Sequence, residues 1–187
     1  MWKAVSRWLY QVSSTWLALS ALVGFLLFTA LVLPAQSARA KAYSGDAPSP
    51  DTSFFYSPGE LYRAARAYGD EGRAAYVRSR FTFDLIWPLV YTFFLTTVIS
   101  WFYARAFPQG NRWRMANLAP LLATAFDYLE NVSTSIVMLR YPARTAPVAA
   151  LAPVLTASKW VLIGSSFALL AAGAFIAVWR WIRSGAD

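Results

Sequence analysis

The sequence predicts an all-α membrane protein: a four-transmembrane-helix bundle with a long structured extracytoplasmic loop between its first two helices. Three observations predict it. Four segments approach the roughly 20 mainly apolar residues that a helix needs to cross a bilayer. The composition, 58% hydrophobic and 14% charged with mean hydropathy +0.40, is too apolar for a soluble domain of 187 residues. The net charge of +8 sits mainly on residues flanking the apolar segments.

The first span is expected at 16–33, between Lys3 and Arg7 on one side and Pro34 on the other. Ala38-Arg39-Ala40 has the small-x-small form of a cleavage site, but the apolar run exceeds the ~7–15 residues of a signal core and ends well before it, so the reading is a retained anchor. The loop then covers 34–81, and residues from Ala40 through Asp46, Pro48 and Pro50 read as flexible or extended. Ser57-Pro58-Gly59-Glu60 is a helix start, with Ser57 as N-cap and Glu60 closing a capping box. That helix is expected at 58–68, with Leu61, Ala64, Ala65 and Tyr68 on one face, lying on the bilayer surface or capping the bundle. Gly69 to Gly72 should turn the chain before a stretch from Arg73 feeds the second span, 82–103. Pro108-Gln109-Gly110-Asn111 turns it again before the third, 118–139, and Pro153 should mark the start of the fourth, 155–179. The whole chain, 1–187, reads as a single membrane domain.

Orientation follows from basic residues. Lys3, Arg7, Arg105, Arg112, Arg114, Arg180 and Arg183 fall on one side, whereas the short loop opposite holds only Arg140 and Arg144. The positive-inside rule therefore puts both termini in the cytoplasm, since a long first loop translocates largely regardless of its charge. Tryptophans gather at both expected interfaces, where their role is anchoring.

Histidine and cysteine are both absent. This excludes haem held by His, His-ligated zinc, Ser-His-Asp catalysis and any thiol redox centre within the chain. No basic patch is interleaved with stacking aromatics on a soluble segment, so nucleic acid is not an expected partner. Membrane lipid is, with a second copy or another membrane protein as alternatives, and the cofactor is unknown.

An ionisable residue inside a span costs at least about 2.5–3.5 kcal/mol at a helix centre and asks for a partner or a purpose. Four qualify: Asp84, Asp127, Glu130 and Lys159. Asp127, Glu130 and Asn131, at i, i+3 and i+4, share a helical face, and two carboxylates so close in low dielectric need a proton or a nearby cation. Lys159 is the available intramembrane cation, and Arg78, Arg80 or Arg140 could fold inward. Pro88 cannot donate to the Asp84 carbonyl, which leaves a free acceptor beside a carboxylate. Asp84, Asp127, Glu130, Asn131 and Lys159 are thus the candidate ligand-binding residues, Asp127 and Glu130 the catalytic candidates, and no metal site is assigned. Asp70, Glu71, Arg73 and Tyr76 are candidates for a lid or for head-group contacts.

Gly72-Arg73-Ala74-Ala75-Tyr76, Asp84 with Pro88 and Tyr91, Asp127-x-x-Glu130-Asn131 and Lys159-Trp160 together resemble a group of small four-helix bacterial inner-membrane proteins. The resemblance runs from about Leu61 to Gly173 and implies a bacterial inner membrane, with no activity, cofactor or partner. Three functions fit these residues. The first is binding of a lipid, an amphiphile or a partner helix through the polar intramembrane cluster. The second is an enzyme acting on a lipid or polyprenyl substrate, with Asp127 and Glu130 as acid and base or as ligands of a divalent cation. The third is proton or ion-coupled transport by an oligomer.

Overall fold

A computed structural model of the chain describes residues 1–184 except 46 and 48. The expected flexibility of Asp46 and Pro48 therefore lies outside the described residues. Among these, the protein consists of seven α-helices and two 3-10 segments, with no strand. The helices are α1 (Trp2–Val12), α2 (Thr15–Leu31), α3 (Leu33–Ser44), α4 (Pro58–Arg80), α5 (Phe83–Ala106), α6 (Ala119–Arg140) and α7 (Ala146–Ser184). Three stretches of the described residues are long and apolar enough to cross a membrane: Thr15–Ser44, Pro58–Ala106 and Ala146–Arg183. α6, at the position of the expected third span, has 22 residues but is not one of the three, because a polar stripe through Asp127, Glu130 and Asn131 lowers its apolarity.

Three local readings are corrected and one element is added. The stretch expected to loosen from Ala40 is helical up to Ser44: Pro34 lies in the first turn of α3, where no backbone N–H is needed, and Ala, Gln, Arg and Lys fill the helix behind it. Gly45, at φ 59°, ends it. The expected four-residue turn at 69–72 is a single-residue kink, Gly69 at φ 63°, after which α4 resumes at once. α7 begins at Ala146 rather than near 155, with Pro147 in its first turn and Pro153 inside it. The N-terminal residues form an additional amphipathic helix, α1.

The chain divides into two compact units. The first comprises Met1–Leu27, Val90–Ala123 and α7 from Leu162. Its core is tied by polar contacts. The Ser6 hydroxyl on α1 donates to Asn117 Oδ1 at 2.8 Å, and Asn117 Nδ2 donates to Ser100 Oγ at 3.0 Å. The Tyr10 hydroxyl donates to the Arg114 carbonyl at 2.7 Å. Asn117 and Arg114 belong to the 3-10 segment Arg112–Leu118, which Asn111 caps by accepting from the Trp113 amide. Phe25 stacks on Phe94 with centroids 4.4 Å apart. Trp2, Trp8, Trp16, Trp113, Trp179 and Trp181 are exposed.

The second unit comprises Phe28–Leu89 and Thr124–Val161. Phe28 near the end of α2 stacks on Phe83 at the start of α5, and α3 packs against α4, where Tyr43 meets Tyr68 edge-on. Gly72 permits this approach, since a Cβ there would lie 2.8 Å from the Tyr43 carbonyl oxygen. The expected capping box forms, Ser57 Oγ accepting from the Glu60 amide and Glu60 Oε2 accepting from the Ser57 amide. Ser57→Ala is expected to cost about 1 kcal/mol, read as a lower unfolding midpoint of the detergent-solubilised protein. The face of Leu61, Ala64, Ala65 and Tyr68 is buried in a core with Tyr56, Val137, Met138, Ala149 and Ala152, so α4 packs this face against α6 and α7.

Candidate functional site

Four segments of the second unit converge on one buried ionic cluster. Arg80 closes α4, and Asp84 opens α5 four residues later, so one turn brings Arg80 Nε to 2.9 Å from Asp84 Oδ2. On α6, Asp127, Glu130 and Asn131 share the buried face that their spacing requires. Lys159 on α7 reaches into them, with Nζ 2.6 Å from Glu130 Oε2 and 3.9 Å from Asp127 Oδ1. The fourth contributor is Asp51, in the 3-10 segment Pro50–Thr52. Its Oδ1 lies 2.8 Å from Arg80 Nη1 and 2.9 Å from Lys159 Nζ, joining the two cations.

Neutral groups complete the shell. Asn131 Nδ2 donates to the Asp84 carbonyl at 3.4 Å, filling the place of the amide that Pro88 lacks. Its Oδ1 accepts from Arg80 Nη1 at 3.5 Å. The Thr156 hydroxyl donates to Glu130 Oε1 at 2.8 Å and lies 3.1 Å from the Tyr56 hydroxyl. The Tyr76 ring supports the Arg80 guanidinium from 4.7 Å.

All five sequence-derived ligand candidates, Asp84, Asp127, Glu130, Asn131 and Lys159, therefore lie in this cluster. Of the expected lid residues only Tyr76 does, fully buried and not available to a head group. Arg73 instead fastens the α4 kink: it pairs with Asp70, and its Nη1 donates to the Ala65 carbonyl at 2.9 Å. Glu71 is exposed on α4 and lies outside the cluster. Asp51, Tyr56 and Thr156 were not foreseen. Asp51 carries no periodic signal because it lies in a loop, although a count of two intramembrane carboxylates beyond what Lys159 can balance signals that further charge must approach from outside the spans.

Electrostatics decide what the cluster can do. Asp51, Asp84, Asp127 and Glu130 face Arg80 and Lys159, four carboxyl groups against two cations. Burial disfavours the Asp51 carboxylate, but the charges of Arg80 and Lys159 outweigh it and hold its pKa below the ordinary carboxylate range. Oxygens of Asp51, Asp127 and Glu130 lie within 4.8 Å of one another, a spacing that suits a hard divalent cation, but the Lys159 ammonium already stands among them. The arrangement provides two fixed buried cations, bridged by one carboxylate from a loop and backed by acids on the helices. No family model, curated protein or solved structure matches the chain.

Proposed function

We propose that this is a bacterial inner-membrane protein that binds an amphiphile with an anionic head group, a phosphate or a carboxylate, the head group taking the place of Asp51 between Arg80 and Lys159. On this reading α6 is a fourth crossing, both termini are cytoplasmic, and the cluster opens toward the extracytoplasmic side.

The observation that carries the reading is the origin of the bridging carboxylate. The other charged members come from helices and are almost completely enclosed, whereas Asp51 comes from a three-residue segment and its side chain is 24% exposed. A loop carboxylate can leave while the cations stay. Just beyond it, Phe54 and Phe55 are both exposed and offer apolar surface to the tail of the same ligand. Asp84, Asp127, Glu130 and Asn131 act as positioning residues that hold Arg80 and Lys159 against the cost of burial.

A divalent cation is the second reading, favoured by the three close carboxylates and the excess of acids. It turns Asp127 and Glu130 into ligands or acid and base for a lipid substrate, and it requires Lys159 to withdraw.

Calorimetric titration of the detergent-solubilised full chain with dodecyl phosphate tests the proposal. Asp51→Ala removes the internal competitor and is expected to bind tighter than wild type, on the order of tenfold, while Arg80→Gln abolishes binding. No binding to wild type and Asp51→Ala alike sinks the proposal and leaves a purely structural ion cluster. Mn²⁺ binding that disappears in Glu130→Gln supports the second reading instead.

A further inference from the structure

A groove of about 1020 Å³ lies between the end of α2 with α3 on one side and α4 with the start of α5 on the other, entirely within the second unit and distinct from the ionic cluster. It is at the upper end of the size of ligand sites. Its walls change character along its length. One end is apolar, made by Phe28, Val32, Phe83 and Ile86. Further along, Gln36 and Arg39 on α3 face Arg78 and Ser79 on α4. The far end is closed by the contact of Tyr43 with Gly72.

We infer that this groove is a binding site for one anionic phospholipid of the surrounding bilayer, its phosphate at Arg39 and Arg78 and an acyl chain along Phe28, Phe83 and Ile86. The polarity gradient selects this occupant. Across the α2–α3 junction the chain from Phe28 to Arg39 spans up to about 16 Å, and across the α5–α4 junction from Ile86 back to Arg78 up to about 12 Å. Those lengths cross the interfacial layer of a bilayer and enter its hydrocarbon region. A partner helix would call for a uniformly apolar strip, and a soluble anion has no use for the apolar end.

Charge fixes the sign of the head group. Arg39 and Arg78 are exposed, and neither has a carboxylate partner among the described residues. Glu71 is the one acid among the described residues of the groove wall, against Arg39 and Arg78, so these residues carry a net positive charge. The Thr82 hydroxyl on the same wall donates to the Arg78 carbonyl at 2.7 Å, which leaves the two guanidinium groups as the donors to a phosphate.

The test places the full-length protein in nanodiscs of equal phosphatidylglycerol and phosphatidylcholine, followed by native mass spectrometry of the lipids retained on release. Wild type is expected to retain phosphatidylglycerol in preference to phosphatidylcholine. Arg39→Gln and Arg78→Gln are each expected to lower that preference about fivefold, and the double variant to erase it. Both side chains are exposed, so the variants fold. Lys41→Gln, on α3 but outside the groove wall, is expected to leave the preference intact. Equal retention of the two lipids by wild type overturns the inference, as does a preference that survives the double variant or falls equally in Lys41→Gln. Asp51→Ala is the cross-check: it changes dodecyl phosphate binding at the cluster and not this preference, so the two sites stand or fall separately.

Discussion

Lys159→Met is expected to destabilise the protein by about 3–5 kcal/mol, the cost of leaving buried charge without its partner. Lys159 Nζ is the group that Asp51 and Glu130 both approach within 3 Å, with Asp127 just beyond. Methionine fills the volume of the stem and offers nothing to those three carboxyl groups. Unfolding in detergent, followed by helix content, checks it. Adding Glu130→Gln to Lys159→Met should restore part of the loss, because the double variant removes the charge that was stranded. A Lys159→Met protein as stable as wild type would mean that the four acids are balanced by something other than this ammonium.

Gly173→Ala is the second large effect, expected at about 1–3 kcal/mol from overpacking. A Cβ at this position of α7 would lie 2.3 Å from Tyr103 Cε2 and 2.6 Å from Cδ2. The ring cannot simply swing away, since Tyr103 is buried and its hydroxyl donates to the Leu169 carbonyl at 3.0 Å. The loss should appear as a lower unfolding midpoint, and Tyr103→Leu in the same chain should reduce it by making room. Gly164, with nothing within 4 Å of a built Cβ, is the control that tolerates alanine.

Much of the site was legible in the sequence, for a physical reason. Helical periodicity places Asp127, Glu130 and Asn131 on one face whatever else happens, and the expense of burying them demands a cation such as Lys159. The capping box at Ser57 and the capacity left open by Pro88 are equally local. The donor to that open carbonyl was not legible, because Asn131 reaches it across 47 positions of sequence. Asp51 was missed because a three-residue 3-10 segment has no periodicity, and its role arises only when the loop folds back on Arg80 and Lys159. Pro34 was misread as a stop: a proline ends one helix and starts the next with the same ring, and here it starts α3. The groove depends on that helix, so nothing in a reading that loosened the chain at Ala40 could have found it.

The account turns on whether Asp51 yields its place to a ligand. The most direct measurement is an experimental structure of the full-length protein with dodecyl phosphate bound, read at Asp51, Arg80 and Lys159. The account predicts phosphate oxygens within hydrogen-bond distance of both cations and the Asp51 carboxylate swung out of the cluster. Asp51 Oδ1 still at 2.8 Å from Arg80 and 2.9 Å from Lys159, with the amphiphile elsewhere, would contradict it.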